Sequence, residues 1–279
     1  MFNVQSFHCS CQAESHTNFR KRAIMPMRQI ADTHAHICDP VFDEDRSDVL
    51  ERAGDAGITA VIAVGENLSD AQKNIELAVK HSVLLPAAGL YPTILDEAKA
   101  EEMYGFIRTE RARLVAVGEV GLDFWIVKEE SDRGLQKDIF KGFINLAKEL
   151  DLPLNVHSRS AGRHAVTLLL ECNAAKVQMH AFDGKASAAL PALEAGYFFS
   201  IPPSVIRSRQ KQKLVKKIPL SQLLVETDSP VLGPDPNRRN EPVNVSISIR
   251  AIAKLKNVSD HEVMEAISEN TQKLYGNIL

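Results

Sequence analysis

The chain has 279 residues, 44% hydrophobic and 25% charged, with a formal net charge of −3 and a pI near 6.3. That is enough apolar sequence for one full core, with no apolar run long enough to cross a bilayer. The near-neutral balance gives no global field for a polyanion and argues against tight, sequence-specific duplex binding.

Residues 1–28 carry Arg20, Lys21, Arg22 and Arg28 against a single acid, Glu14, and show no apolar periodicity. They read as a disordered extension, a weak mitochondrial presequence, or residues upstream of a second start at Met25 or Met27. Within them His8, Cys9, Cys11 and His16 match no standard zinc-knuckle spacing. With Cys38 and Cys172 they complete a cysteine set without a secretory framework, so a reduced, intracellular protein is expected, cytoplasmic or nuclear if not mitochondrial.

From residue 29 onward, short apolar runs alternate with longer stretches of helical spacing such as 136–150 and 161–172. Eight runs read as buried parallel strands: 29–33, 59–64, 83–89, 114–119, 154–157, 177–180, 197–201 and 223–227. Eight strand and helix units over roughly 250 residues predict an α/β chain folded as a TIM-type (β/α)8 barrel, with room for distortion. No Gly-X-Gly-X-X-Gly loop follows the first run, which disfavours an open dinucleotide-binding sheet.

Polar residues gather where the runs end, in Thr33-His34-Ala35-His36, Gly118-Glu119-Val120-Gly121, Val156-His157-Ser158-Arg159, Met179-His180-Ala181-Phe182 and Glu226-Thr227-Asp228-Ser229. In a closed barrel those ends meet on one face, where active sites lie. His34 and His36 are two apart, so an extended chain points both imidazoles to one side and can chelate a divalent cation. By contrast His81, His164 and His261 fall in or beside helical stretches and read as surface positions, and Cys38 as a small buried residue.

These segments, together with Asp123, Asn155 and Asp183-Gly184, resemble the ordered signature of TatD-type metal-dependent deoxyribonucleases over about residues 29–279. The stretches Phe198 to Ser204 and Arg239-Asn240-Glu241-Pro242 look most like the TatD domain-containing protein 3 branch of that family. The resemblance implies two divalent ions, with His34, His36 and Asp228 on the first, His157 and His180 on the second, and Glu119 bridging. The donors are His, Asp and Glu without a thiolate, which suits Zn, Mn, Mg or Ni. Related barrels often bridge their metals with a carboxylated lysine; a glutamate here argues for the TatD branch.

The chemistry so implied is hydrolysis of a DNA phosphodiester, expected to be exonucleolytic, by a hydroxide bridging the metals, with Glu119 and Asp228 as catalytic carboxylates and Asp228 as proton acceptor. Ser158 and Arg159 are expected to meet phosphate oxygens, Arg239 to contact substrate from a loop at the barrel mouth, and Asp123 to orient a ligand from behind. The family commonly shows Gly-X-His-Pro where this chain has Gly89-Leu90-Tyr91-Pro92. Tyr91 can donate a hydrogen bond there but cannot take up a proton near pH 7.

Two dications would bring four positive charges against two ligand carboxylates, so the cleft can attract phosphate although the whole chain does not. DNA or a small phosphate ester is the expected partner, with no membrane and no obligate protein partner. Lys211, Lys213, Lys216 and Lys217 could guide a nucleic acid, although a solvated helix face is the plainer reading. Two alternatives stay open: a metal-dependent hydrolase of acyl esters or amides, such as a deacylase of misacylated transfer RNA, and a metal-binding barrel with little catalysis.

Overall fold

The computed structural model describes residues 29–279. The expectations for 1–28, including the candidate ligands His8, Cys9, Cys11 and His16, lie outside the described residues.

Strands and helices alternate through the chain: β1 (Ile30–Ala35), α1 (Arg46–Asp55), β2 (Ile58–Ala63), α2 (Leu68–Lys80), β3 (Leu84–Ala88), α3 (Glu97–Thr109), β4 (Ala116–Gly121), α4 (Glu130–Glu149) and β5 (Leu154–His157). They continue as α5 (Gly162–Glu171), β6 (Val177–Met179), α6 (Leu190–Glu194), β7 (Phe198–Ile201), α7 (Arg209–Lys217), β8 (Leu223–Val225), α8 (Val245–Lys256) and α9 (Asp260–Tyr275). All strand pairs are parallel, in the spatial order β1 to β8. This is the expected barrel. Among the described residues no helix is long and apolar enough to cross a membrane.

The seam between β8 and β1 is where the barrel is irregular, because side chains do part of the pairing. Thr33 Oγ1 donates to the Val225 carbonyl at 2.9 Å, and the Thr227 amide donates to Asp32 Oδ1 at 2.8 Å. Only beyond them do backbone bonds close the ring, from Asp228 N to His34 O and from His36 N to Ser229 O, both 2.8 Å. β8 therefore stops at Val225, two residues short of the expected end, since Asp32 has taken the Thr227 amide. β4 instead runs two residues past Glu119 to Gly121, which pairs with His157 across β5. Only glycine fits there: its φ is +147° and a Cβ would run into the His157 carbonyl.

The larger core fills the space between strands and helices, with Phe42, Phe140, Phe143 and Phe199 fully buried. Inside the barrel a smaller set, Ile62, Val64, Ala87, Ala116 and Leu224, is plugged from below by Leu274 and Tyr275 of α9. That helix starts at a capping box between Ser259 and Glu262 and is tied to the barrel floor by Asn270, whose amide donates to the Leu220 and Leu223 carbonyls. From the plug a hydrogen-bonded line climbs the interior: Tyr275 O–H to Gln178 (2.5 Å), the Gln178 amide to Ser200 (2.9 Å), and Ser200 O–H to Glu226 (2.5 Å).

Tyr275→Phe keeps the plug's volume but leaves Gln178 Oε1 buried without its donor. The expected loss is about 1–3 kcal/mol, read as a fall in melting temperature of about 2–4 °C for each kcal/mol in a chain of this size. An unchanged melting temperature would show that the hydroxyl contributes nothing.

Candidate metal centre

Five strand ends deliver two carboxylates and four imidazoles to the mouth of the barrel. Strand alternation explains the placement: Asn155 and His157 on β5, or Gln178 and His180 at the end of β6, are two apart and share the inward face. Glu119 is 1% exposed and Asp228 7%. Ionised carboxylates at that depth require compensating positive charge.

Four donor atoms of the cluster converge, five of their six separations falling between 3.3 and 3.8 Å. His34 Nε2 lies 3.3 Å from His36 Nε2, 3.4 Å from Asp228 Oδ1 and 3.8 Å from Glu119 Oε2. His36 Nε2 lies 3.5 Å from Asp228 Oδ1 and 3.3 Å from Glu119 Oε2. A tetrahedral ion with ligands at about 2.0–2.2 Å requires edges of about 3.3–3.6 Å. Glu119 Oε2 is moreover buried without a hydrogen-bond partner, as a carboxylate oxygen reserved for a cation would be. A second group, His157, His180 and the other oxygen of Glu119, is tighter: His157 Nδ1 is 2.6 Å and His180 Nε2 3.4 Å from Glu119 Oε1. The shorter contact is a charge-assisted hydrogen bond from imidazole to carboxylate.

Three of the candidate ligands have a polar group behind them, which for His34 and His180 fixes the tautomer. The Asn155 amide donates to the Thr33 carbonyl, so its oxygen faces His34 and accepts from Nδ1 at 2.8 Å, leaving Nε2 free. Glu226 accepts from His180 Nδ1 at 3.2 Å and from the Ala181 amide, and Asp123 Oδ2 lies 3.3 Å from His157 Nε2.

Titration follows from this crowding. Burial opposes ionisation of Glu119, but His157, His36 and His34 overcome it and hold the carboxyl well below its usual range. Asp228 is likewise held down against burial by His180, His34 and His36. The imidazoles mirror them: burial disfavours the cation, yet Asp228 and Glu119 raise His36 well above its usual value, and Glu119 and Asp123 raise His157 to about 9. The site attracts cations, whether protons or metal ions.

Above the ligands the cleft has two adjoining lobes of about 420 and 480 Å³, both lined by Tyr91, His157, Arg159, His180 and Asp228. Tyr91 stands edge to face against His157 at 5.1 Å, and burial pushes its phenol upward. Ser158 is buried in the wall, its hydroxyl without a partner. Cys38 reaches the first lobe but joins no ligand set; its thiol, pushed up to about 12 by burial, donates to the Val64 carbonyl. His81, His164 and His261 lie in or at the ends of helices, away from the ligand cluster. The largest cavity, about 940 Å³ between α5 and α6, contains none of the converging ligands.

Arg239 is elsewhere. Its guanidinium is paired with Asp45 (2.5 and 2.8 Å) and Glu241 (3.0 Å) and lies over the Phe42 ring, lining neither lobe. A substrate contact was expected; the structure instead uses this residue to fasten the β8–α8 loop to the chain entering α1. Beside Arg159 a second cation reaches the cleft, Lys211, half-buried, lining the second lobe and donating to the Ala181 carbonyl at 2.9 Å. Burial lowers its pKa, against the pull of Glu226 and Asp228. Sequence reasoning groups it with Lys213, Lys216 and Lys217, either as a guide for nucleic acid or, on the plainer reading, as a solvated face. It assigned no role to Asn155 or to Glu66, which lines the first lobe; for Asn155 the available signal was its position two residues before His157.

A family model described as TatD related DNase matches residues 31–276. Deoxyribonuclease TATDN3 of Homo sapiens is 44% identical to this chain over 261 residues, covering 88% of this chain and 94% of the human one. YabD of Bacillus subtilis, described as an uncharacterized metal-dependent hydrolase, is 33% identical, covering 88% and 98%. The crystal structure of YJJV, a TATD homolog from Escherichia coli, matches with a TM-score of 0.82 at 26% identity, covering 89% of this chain and 98% of that one.

Asn155→Ala should free the His34 ring to change tautomer and weaken divalent-metal binding by about 10–100-fold, measured by calorimetric titration of the metal-free protein. Affinity equal to wild type would show that Asn155 does not orient the ligand.

Proposed function

The chain belongs to the TatD related DNase family, and from that premise we propose that it hydrolyses DNA phosphodiesters from a strand end. Two divalent cations would be held by His34, His36, Glu119, His157, His180 and Asp228. The observation that carries this reading is the buried Oε2 of Glu119, without a hydrogen-bond partner among converging imidazoles, in a lobe that Arg159 lines and that adjoins the lobe lined by Lys211. A cation-demanding floor under a cationic wall is a phosphate site.

When bound, the cations supply Lewis acidity toward a phosphoryl oxygen and an acidified water. The donor set, without a thiolate, suits Zn, Mn, Mg or Ni. This chain's residues do the rest. Glu119 presents one oxygen to each half of the cluster and would be the ligand shared between two cations. Asp228, kept ionised and open to both lobes, accepts the proton of the attacking water. Arg159 and the unsatisfied hydroxyl of Ser158 bind the non-bridging oxygens, and Lys211 neutralises the neighbouring phosphate. Tyr91 donates a hydrogen bond from the β3 end, without serving as a base. Arg239, paired with Asp45 and Glu241 outside both lobes, is given no role in this reading.

The test is incubation of metal-loaded protein with end-labelled single-stranded DNA. A ladder shortening from one end, abolished by chelator and reduced more than about a hundredfold by Glu119→Ala, is expected, since loss of supporting partners alone costs about 10–100-fold. Turnover of acyl esters without cleavage of any DNA would overturn the reading. Lys211→Ala should lower kcat/KM by about 10–100-fold, the range for a lost charged hydrogen bond, chiefly through KM. A pure kcat effect would place Lys211 in the chemical step instead.

A further inference from the structure

We propose that Trp125, in the loop after β4, is a stacking seat for an unpaired nucleobase beside the scissile phosphodiester, and that it directs the enzyme to single-stranded or frayed ends. The inference rests on the nuclease reading above. An exposed apolar residue is in itself ordinary; position and company set this one apart. Trp125 is the chain's only tryptophan and keeps 55% of its surface in water, as does its neighbour Ile126. Among the described residues it is the sole aromatic side chain in the exposed large hydrophobic set.

The ring is held next to the metal cluster by a single carboxylate. Asp123 Oδ1 accepts the amides of Trp125 and Ile126 at 2.8 and 2.9 Å, while Oδ2 stands 3.3 Å from His157 Nε2. The Phe124 amide donates to the Arg159 carbonyl at 2.9 Å, tying the loop to the strand end that carries His157. The backbone that carries the indole is therefore tied to the strand end of His157 and Arg159.

Two cations attend the ring. The Arg159 guanidinium lies 5.4 Å and Lys128 Nζ 5.1 Å from its centroid, and Arg159 also lines both lobes of the cleft. Both cations lie over the ring, so a base stacking on the indole would displace a cation from its face towards the nucleotide's phosphate, or stack on the Arg159 guanidinium beside it. An apolar protein partner would have to bury those charges. Bases inside a duplex are already stacked on both faces and a blunt terminal pair offers one face only with its partner strand attached, so an unpaired base is the better occupant for the indole.

Because Trp125 is the sole tryptophan, its fluorescence reports on this site alone. Metal-loaded protein is titrated with a phosphorothioate oligothymidylate, which resists hydrolysis, with an abasic phosphorothioate of the same length, and with a blunt duplex. Saturable quenching by the thymidylate, absent with the abasic strand and weak with the duplex, is expected. Trp125→Ala should raise KM for single-stranded DNA about tenfold with kcat nearly unchanged, leave KM for an abasic strand unchanged, and unfold at the wild-type temperature. Trp125→Phe should recover most of the loss.

Equal quenching by abasic and base-bearing strands, or an unchanged KM in Trp125→Ala, would overturn the inference. Cleavage of DNA without base-dependent quenching removes the stacking seat and leaves the nuclease reading standing. Base-dependent quenching without cleavage of any DNA removes the nuclease activity and leaves the seat. Neither signal removes both.

Discussion

Everything at the mouth of this barrel answers to one constraint: Glu119 and Asp228 are ionised where water scarcely reaches. Isolated carboxylates at that depth would be driven to protonate. They stay charged because His34, His36, His157 and His180 stand within 2.6–3.8 Å of them. The same arrangement that raises the imidazoles is the one a dication would relax, since metal binding displaces protons from its ligands. Electrostatic stress and metal affinity are one property of the cluster.

Holding six such groups in place requires rigidity from the whole barrel. The seam between β8 and β1 is closed at the level of the ligands, where the Asp228 amide donates to the His34 carbonyl, so the first and last strands fix each other's donors. Asp32 contributes by bonding the Thr227 and His34 amides. Burial raises its carboxyl to about 7 even against those hydrogen bonds, a sign of how dry the seam is. Beneath it the line from Tyr275 through Gln178 and Ser200 to Glu226 links the floor plug to His180. Polar residues inside the barrel are retained because every one of them supports a ligand or a neighbour that does.

Substrate recognition is local where the global field is weak. With a net charge of −3 the chain offers a polyanion little long-range attraction. Arg159 and Lys211 bring positive charge to the cleft and Lys128 stands over the Trp125 ring, while Arg239 is neutralised by Asp45 and Glu241. On the proposed reading, such an arrangement would suit one strand laid across the cleft rather than a duplex wrapped around the protein.

The alternation of apolar runs and helical stretches made the eight strands legible, because each strand is buried on both faces and its hydrophobic content is local. The strand ends then exposed His34, His36, Glu119, His157, His180 and Asp228 as a set, since a parallel barrel gathers all such ends on one face. Boundaries were less legible. Gly121 extends β4 because its neighbour's carbonyl leaves no room for a side chain, and Asp32 ends β8 by taking a backbone donor from the far end of the chain.

Individual partners were the least legible. Arg239 and Asp45 are separated by 194 positions, and nothing in the pattern around either tells that they neutralise each other. Lys211 sits among lysines that look alike in sequence, yet the turn of α7 brings it to the cleft. Sequence by itself determined which residues face inward, because that depends on local period. Only the tertiary structure decided which charges meet, because pairing depends on distances across the barrel that no local period encodes.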